Sequence, residues 1–363
     1  MGIIEPGIVV CICTYKRPHL LKQELADLLA QTVLPERWVI VNGDPTSPDV
    51  LEMLKTLPFP PDSRVIYIAS NHSNLSFQRY LGWRAARDGR ILVYFDDDLR
   101  IPQLDAFERV IAPLQSLASE DVVGVTALTN TRGWDHFDDP DIVRTSNRAP
   151  RILVRLLGAS GSITPGGLSS VGHRIYPKVT GEDFAEVQWL QGRLMAYRLV
   201  AVTQDCFSED LFALDEIRCG LGEDTFLSRQ IGSKGRLLLS MNTHFIHPDE
   251  DTPKSYPFKA YKLAYARAYS RRFLNDHYRV NKPPRFVDRF NLVKSYAANC
   301  VLNVGKLLIS PHRNHAAYAW GYARGMWRGL TQKPTAKELT PGVDWWGDAE
   351  RALAQQTCIN ENT

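Results

Sequence analysis

Apolar and polar positions along the first 130 residues form blocks that predict strands separated by helices. Continuous apolar runs at residues 8–13 and 91–95 predict strands that are buried on both faces. Shorter strands are predicted at residues 38–41 and 64–69, and helical apolar spacing predicts helices at 20–29, 49–57 and 77–87. This alternation is typical of βαβ units and a parallel sheet. Because ligands of such sheets bind at the carboxyl ends of the strands, the residues that follow each strand are the first candidates for function.

The pattern changes after residue 130. Residues 158–172 are small and polar, which predicts a mobile loop or lid rather than core. Strands are predicted again at residues 187–190, 193–198 and 236–240, with a helix at 224–232. From residue 256 the pattern is helical, and five aromatic residues three or four positions apart form one stripe: Phe258, Tyr261, Tyr265, Tyr269 and Phe273.

The composition excludes several classes of protein. A chain of 363 residues with 44% apolar residues and a net charge of +3 is not disordered as a whole. It has no run of about 18 uncharged apolar residues that would predict a membrane span, and no basic segment that would predict a secretory signal. Its six cysteines lack metal-binding spacing, so we expect reduced thiols in the cytoplasm. Neither a Gly-x-Gly-x-x-Gly after the first strand nor a P-loop occurs, which argues against a dinucleotide dehydrogenase and an NTPase.

Charge is distributed unevenly along the chain. Residues 254–330 carry a net charge of +13 and 14 of the 36 aromatic residues, while the rest of the chain carries −10. Such a segment suits peripheral contact with an anionic membrane, where Tyr, Trp, Lys and Arg favour the headgroup level, and residues 315–330 are its clearest stretch. The alternative is that the aromatic stripe packs on the rest of the protein and the charges face water. Nucleic acid is not an expected partner, because no recognition motif accompanies the charge.

An acidic triplet is the sharpest chemical signal in the sequence. Asp96, Asp97 and Asp98 directly follow the apolar run at residues 91–95. Adjacent carboxylates repel one another, and either a divalent cation or exposure to solvent relieves that repulsion. Oxygen ligands of this kind suit Mg²⁺ or Mn²⁺ bridged to the phosphates of a nucleotide. The triplet therefore predicts a metal site, with an exposed acidic turn as the alternative.

Two other strand ends carry polar groups that would meet the triplet in one crevice. Thr14, Tyr15 and Arg17 follow the first strand and offer a hydroxyl, an aromatic face and a cation near a diphosphate. Asp44 follows the second strand, where it would accept hydrogen bonds from a base or a ribose. Taken one at a time, each is equally well explained by ordinary turn chemistry.

Four motifs in this order resemble the family 2 glycosyltransferases of the GT-A fold. They are VVCICTYKRPHLL with WVIVNGD, NLSFQRYLGWRAARDGRILVYFDDD, QWLQGRLMAYR, and FALDEIRCGLGEDTFLSRQIGSKGRLLLS. The resemblance covers roughly residues 7–250. It implies an α/β fold with a Rossmann-like mixed sheet flanked by helices and a helical, basic and aromatic C-terminal extension. The implied domains are a catalytic domain over residues 1–250, with a nucleotide-binding half (1–130) and an acceptor-binding half (131–250), and a mostly helical region over 251–363.

The resemblance also implies roles for individual residues. Asp98 would be the main metal ligand of a DXD motif, with Asp96 nearer the sugar or ribose. His247 would be a third metal or phosphate contact, with His244 as the competing candidate and a structural histidine as the alternative. Asp224 would be the catalytic base and Glu223 its neighbour. The nucleotide-sugar pocket would be lined by Thr14, Tyr15, Arg17, Asp44, Arg79, Asp96 and Asp97.

The sequence also departs from the family pattern. Tyr80 and Ser76 stand where an Asn and a Gly are usual, which puts the detail of the sugar pocket in doubt. A second Gly-Glu-Asp at residues 181–183 precedes the acceptor strand rather than a helix, so we do not expect it to act.

The expected activity is transfer of a sugar from a nucleotide-diphosphate sugar to a hydroxyl of a saccharide or a lipid-linked saccharide. One base and one divalent metal, Mn²⁺ or Mg²⁺, without a second nucleophile predict a single displacement with inversion. The resemblance suggests cell-surface polysaccharide or glycolipid biosynthesis at the cytoplasmic membrane face. Two alternatives stay open: a nucleotidyltransferase that makes sugar nucleotides, and an inactive saccharide-binding or scaffold protein.

Overall fold

The computed structural model describes residues 2–130, 142–143, 165–175, 177, 182–247 and 257–360. The strands within these ranges are β1 Ile3–Thr14, β2 Val33–Asn42, β3 Arg64–Ala69, β4 Ile91–Asp96, β5 Val122–Asn130, β6 Ile142–Val143, β7 Arg174–Ile175, β8 Phe184–Val187, β9 Leu194–Arg198, β10 Arg236–Ile246 and β11 Thr357–Cys358. The helices are α1 Pro18–Leu29, α2 Asp49–Lys55, α3 Leu75–Ala85, α4 Ala106–Gln115, α5 Glu209–Glu216, α6 Glu223–Gly232, α7 Pro257–Asp276, α8 Phe286–Ile309, α9 Arg313–Thr331, α10 Ala336–Leu339 and α11 Trp345–Ala354.

Nine of these strands form one sheet in the order β11-β3-β2-β1-β4-β9-β5-β10-β8. Strands β1 to β4 are parallel, as the alternating pattern predicts. Strand β9 runs antiparallel between β4 and β5, and β8 and β11 are antiparallel at the two edges. The sheet is therefore mixed and flanked by helices, and the predicted fold class is confirmed.

Strand β1 lies in the middle of the sheet and is buried on both faces. Its side chains alternate between two apolar clusters: Cys11 and Cys13 lie in one and Val10 and Ile12 in the other. Full burial of each aliphatic side chain contributes about 1.5–3 kcal/mol, so the continuous apolar run is what fixes this strand at the centre. All six cysteines are free thiols.

The helices after residue 256 form a packed group that also returns to the sheet. Helix α9 lies close against α7, and two glycines of α9 make this approach possible. A Cβ at Gly321 or Gly325 would come within 2.2–2.3 Å of the carbonyl oxygens of Tyr261 and Tyr265. Helix α11 packs Trp345 against Phe77 of α3, and β11 pairs with β3. The C-terminal elements α11 and β11 thus pack on the part of the sheet within residues 1–130. The division of the catalytic domain into a nucleotide-binding half and an acceptor-binding half stays a prediction.

The aromatic stripe on α7 is divided between the interior and the surface. Tyr269 and Phe273 are buried against α5 and α6, whereas Phe258 is exposed. The C-terminal half of the stripe therefore packs on the rest of the protein, which was the alternative to contact with a membrane. Among the described helices, none combines the length and the apolar character that crossing a membrane requires.

The predicted loop at residues 158–172 is described only from residue 165. Ser169, Ser170 and Val171 are buried, and the backbone N–H of Gln188 donates to the carbonyl of Gly166 at 2.8 Å. These residues belong to the packed interior, unlike the lid that small polar residues suggest. Residues 158–164 lie outside the described part of the chain, and movement of the loop stays a prediction.

Candidate active site

The register of the parallel strands brings the predicted polar residues to one edge of the sheet. Thr14 at the end of β1 pairs with Asn42 at the end of β2, and Cys13 pairs with Asp96 at the end of β4. Asp44 follows β2 in a turn that the side chain of Asn42 closes by accepting from the backbone N–H of Asp44 at 3.0 Å. The crevice expected from the sequence therefore has its residues at neighbouring strand ends.

The turn after β1 is tied to the acidic triplet through Asp97. The hydroxyl of Thr14 donates to Asp97 Oδ2 at 2.6 Å, and Arg17 forms ion pairs with Asp97 at 2.5 Å and with Asp98 at 2.8 Å. Asp97 is 0% exposed, and burial raises its pKa to about 6 although Arg17 and Thr14 lower it. Asp97 and Thr14 therefore hold two strand ends together, and the place of these two residues in a nucleotide-sugar pocket stays a prediction. Tyr15 is exposed at this turn.

His247 lies beside Asp98 because the chain after the triplet pairs with the end of β10. Arg100 and Ile246 exchange backbone hydrogen bonds of 2.8 and 3.0 Å, which places His247 Nε2 at 3.3 Å from Asp98 Oδ1. Burial acts to raise the pKa of Asp98, but His247 and Arg17 outweigh it and hold that pKa below its ordinary value. His247 therefore lies next to the triplet. The side chain of His244 is outside the described part, so the choice between the two histidines as a metal contact stays a prediction.

This pair is where a divalent cation would fit. Asp98 Oδ1 is buried and has the 3.3 Å contact with His247 Nε2 but no further hydrogen bond among the described residues, and the other ring nitrogen of His247, Nδ1, is buried without a hydrogen bond there. A carboxylate oxygen and an imidazole nitrogen are donors that suit Mn²⁺ and, for the oxygen, Mg²⁺. The described residues include no group of three or more His, Cys, Asp or Glu side chains arranged to hold a metal ion. Protein donors would therefore complete only part of a coordination sphere.

Arg79 on α3 connects the acidic triplet with the second acidic motif. Its guanidinium donates to Glu223 Oε1 at 2.7 Å, to Asp96 Oδ1 at 3.2 Å and to the carbonyl of Gly192 at 2.7 Å. The side chain is only 3% exposed. In the structure, Arg79 bridges two carboxylates through its Nη1 and Nη2 groups, and its approach to a base or phosphates stays a prediction.

Glu223 begins α6 and is buried beside two charged neighbours. Burial and the negative charge of Asp224 raise its pKa to about 7, although Arg79 lowers it. A carboxyl with this pKa changes its protonation near neutral pH, as general bases of enzymes do.

Asp224 is held by three partners that the sequence did not reveal together. Arg174 Nη2 reaches both carboxylate oxygens at 2.5 Å, and the backbone N–H groups of Gly192 and Thr225 donate at 2.8 and 2.6 Å. These donors fix the orientation of the carboxylate and occupy both of its oxygens. Arg174 comes from β7, some fifty residues earlier in the chain, and no local pattern marked it.

A further carboxyl that the sequence did not single out lies beneath the triplet. Glu24 of α1 is completely buried, and neither of its carboxylate oxygens has a hydrogen-bond partner among the described residues. Burial, together with the negative charges of the triplet, raises its pKa well above the ordinary value. An apolar periodicity of α1 that includes position 24 with Leu21, Leu25 and Leu28 is the signal that would have found it.

The sequence model described as "Glycosyl transferase family 2" matches residues 9–164, which include the triplet and the strands β1 to β5. Over these residues the chain is similar to the family 2 glycosyltransferases. The predicted resemblance is confirmed, and the protein is a glycosyltransferase. No curated protein matches the chain.

Three solved structures resemble the glycosyltransferase chain at low identity. A mannosyltransferase of Pyrobaculum calidifontis, PcManGT in complex with GDP-Man and Mn²⁺, is 15% identical with a TM-score of 0.47 and coverage of 90% of this chain and 88% of that one. TarS 1–349 of S. aureus is 11% identical, with a TM-score of 0.44 and coverage of 88% and 90%. GalNAc-T7 with UDP, GalNAc and Mn²⁺ is 13% identical, with a TM-score of 0.46 and coverage of 81% and 54%. Similarity of this extent carries no conclusion about the substrates of this chain.

Proposed function

We propose that this glycosyltransferase moves a sugar from a nucleoside-diphosphate sugar to a hydroxyl of a saccharide or a lipid-linked saccharide, with inversion and with Mn²⁺ or Mg²⁺. The observation that supports this most is the single guanidinium of Arg79 that bonds both Asp96 and Glu223. Through it, the carboxylates suited to a metal and a diphosphate lie next to the carboxylates suited to deprotonate a hydroxyl. A single displacement needs these two groups on either side of one reacting carbon.

Each end of the site has a chemical task in this proposal. Asp98, with His247, would hold the cation, which supplies stabilisation of the charge that develops on the leaving diphosphate. The half-exposed guanidinium of Arg17 pairs with Asp98 and is the described cation best placed to contact a phosphate. Tyr15 and Asp44 remain the proposed contacts of the nucleotide, because Tyr15 is exposed and Asp44 is only partly buried at neighbouring strand ends.

We propose Asp224 as the base that takes the proton of the acceptor hydroxyl. The backbone donors at Gly192 and Thr225 fix the orientation of its carboxylate, and the hydroxyl would replace part of the contact with Arg174. Glu223 is the second candidate, and its pKa of about 7 is the observation in its favour. Proton transfer by such a base typically contributes about 10²–10⁴-fold to the rate.

A thermal-shift screen of nucleoside diphosphates in the presence of Mn²⁺ would test the proposal. An assay for hydrolysis of the matching nucleotide sugars would follow it. We expect one nucleotide to raise the melting temperature, and we expect hydrolysis that stops on addition of a chelator. Release of pyrophosphate from a nucleoside triphosphate and a sugar phosphate would instead identify a nucleotidyltransferase. Binding without any turnover would identify a saccharide-binding or scaffold protein.

We also propose that the C-terminal helices contact an anionic membrane surface. Along α8, apolar residues spaced three, four or eight positions apart fall on one face and are 49–85% exposed: Phe286, Phe290, Val293, Val301, Val304 and Leu308. Trp320 and Trp327 are exposed on α9. An apolar face within a segment of net charge +13 is complementary to an anionic lipid surface and suits no cationic or neutral partner as well.

Co-sedimentation with vesicles of phosphatidylglycerol and phosphatidylcholine would test the membrane contact. We expect binding that weakens as salt rises and that falls at least tenfold when Phe290, Val301 and Leu308 are changed together to Gln. Val200→Gln is the matched control, because Val200 is 86% exposed in the catalytic half. A dimer in light scattering that the triple variant dissociates would instead show that a second copy covers this face.

A further inference from the structure

A groove, called the α7 groove below, lies between α7 and the segment that joins α5 to α6. It has a volume of about 600 Å³, within the range of roughly 300–1,000 Å³ that is typical of small-molecule sites. The residues that matter for its chemistry are Arg218, Leu221, Phe258, Lys259, Lys262 and Leu263. The role proposed for the site so far uses none of them.

The α7 groove adjoins the side of the site that bears the proposed base. Leu221 lines both the groove and a smaller cavity of about 210 Å³ whose lining includes Glu223 and Asp224. Along α7, Ala266 lines the groove and the next residue, Arg267, lines the smaller cavity. A molecule that lies in the groove can therefore extend past Leu221 toward Asp224.

The wall of the α7 groove exposes apolar side chains to water. Leu221 and Leu263 are each 40% exposed, and Phe258 is 67% exposed. Removing apolar surface from water is favourable, and exposed apolar patches with a polar rim mark places where a partner or a ligand binds. An apolar chain laid along this wall would cover these three side chains, whereas a wholly polar saccharide would leave them in water.

Cationic side chains accompany the apolar wall. Lys259 and Lys262 are exposed on α7, and the ammonium nitrogen of Lys262 lies 4.3 Å from the centre of the Phe258 ring. Neither lysine has a carboxylate partner among the described residues, and the described lining of the groove contains no acidic residue. Arg218 is held in place by Ser73, whose backbone carbonyl and hydroxyl accept from it at 3.1 and 2.8 Å. The groove is therefore complementary to a ligand that joins an apolar chain to an anionic group.

We propose that the α7 groove binds the apolar chain of a lipid-linked acceptor, with Lys259 and Lys262 at the anionic group that joins the chain to its sugar. The inference rests on the proposed glycosyl transfer and chooses between the two classes of acceptor named there. The sugar of such an acceptor extends past Leu221 and presents a hydroxyl to Asp224. A free saccharide would use neither the apolar wall nor the two ammonium groups.

Calorimetric titration of the full chain with short amphiphiles tests the proposal. The probes are decyl phosphate, decyl maltoside, which carries the same chain on a neutral head group, and glycerol phosphate, which lacks the chain. Each probe is kept below the concentration at which it forms micelles. We expect saturable binding of decyl phosphate that is at least tenfold tighter than binding of either other probe. Binding of decyl maltoside or glycerol phosphate as tight as that of decyl phosphate would overturn the proposal.

Two variants and two matched controls connect the binding to the α7 groove. Leu263→Gln, and Lys259→Gln combined with Lys262→Gln, are each expected to weaken binding of decyl phosphate at least tenfold. Leu308→Gln and Lys282→Gln make the same changes at exposed positions on α8 and beyond the end of α7, outside the groove. Both controls should bind decyl phosphate as the wild type does.

The thermal shift with Mn²⁺ and the selected nucleoside diphosphate is measured on the same variants. A shift equal to that of the wild type shows that each variant is folded and keeps its donor site. Wild-type affinity for decyl phosphate in both groove variants would overturn the proposal, and so would a dimer in light scattering that Leu263→Gln dissociates. Absence of nucleotide binding in the wild type would instead remove the proposed function on which the inference rests.

Discussion

The bridge formed by Arg79 leads to a prediction about stability that depends on pH. Arg79→Met keeps the length and the apolar stem of the side chain but removes the charge that Asp96 and Glu223 share. Breaking a buried ion pair by removing one partner costs about 3–5 kcal/mol, because the other charge is left uncompensated. We therefore expect the free energy of unfolding to fall by this amount at pH 8.

The size of the loss should shrink in acid. Burial already raises the pKa of Asp96 above its ordinary value and the pKa of Glu223 to about 7. Without Arg79 both pKa values rise further, so protonation relieves the charge of Glu223, whose pKa is already about 7, more completely at pH 5.5 than at pH 8. One pKa unit corresponds to about 1.4 kcal/mol, and the penalty should therefore be smaller at pH 5.5 by about 1–3 kcal/mol.

Urea unfolding followed by tryptophan fluorescence measures both quantities. Arg84→Met is the matched control on the same helix, because Arg84 pairs with the largely exposed Glu350 and such pairs contribute about 0–1 kcal/mol. Adding Glu223→Gln to Arg79→Met should restore at least 0.5 kcal/mol, the lower end of couplings (about 0.5–3 kcal/mol) between residues in contact. If Arg79→Met unfolds at the same urea concentration as Arg84→Met at both pH values, the bridge does not hold the site together.

Three further predictions concern Glu223 and Asp224, the buried carboxyl of Glu24 on α1, and Gly222, which directly precedes α6. Asp224→Asn should lower kcat at least about 100-fold with nucleotide binding unchanged. Glu223→Gln should keep most of the rate, and its kinetic pH profile should lose any rise in rate through pH 7. The reverse pattern of the two variants would assign the base to Glu223. Glu24→Leu should stabilise the protein by about 1–3 kcal/mol at pH 8 and by less at pH 5. The reason is that the pKa of Glu24 is raised in the folded state, so its ionisation costs stability as pH rises. A variant that is less stable than the wild type in urea at pH 8 would contradict this. Gly222→Ala should cost about 1–3 kcal/mol, since Gly222 has φ +97° and a Cβ there would lie 2.8 Å from Leu274 Cδ1; adding Leu274→Ala would remove the contact but not the backbone strain, and an unchanged unfolding midpoint for Gly222→Ala would refute the reasoning.

The sequence predicts best those elements whose surroundings are uniform. Strands β1 and β4 are buried on both faces, so their runs of apolar residues were predicted with the right place and direction. The predicted strand at residues 187–190 is instead β8 at Phe184–Val187, because Trp189 and Leu190 are buried by tertiary packing outside a strand. Neither α4 nor β5 was predicted from the sequence, although both contribute to the core.

The positions of the charged side chains were harder to predict than the elements that carry them. The motif around Arg79 indicated a residue near the nucleotide, but residues 76–83 of α3 are all buried, so the periodicity could not say which way Arg79 points. The partner of Asp224 comes from a segment with no motif of its own. Sequence order places such groups at strand and helix ends, whereas the pairing between them is decided by the tertiary structure.

Those pairings together describe a site whose charge is compensated before any ligand binds. Every carboxylate of the two acidic motifs has an arginine partner among the described residues: Asp96 and Glu223 share Arg79, Asp97 and Asp98 share Arg17, and Asp224 has Arg174. A cation arriving alone would meet carboxylates that already have a counter-charge, so its attraction to the site is reduced. When a cation binds together with a diphosphate, Arg17 can exchange its contact with Asp98 for one with the diphosphate. The cation and the diphosphate should therefore bind more tightly together than their separate affinities imply. The same reasoning holds at the other end, where Asp224 has to give up part of its contact with Arg174 before it can accept the proton of an acceptor hydroxyl.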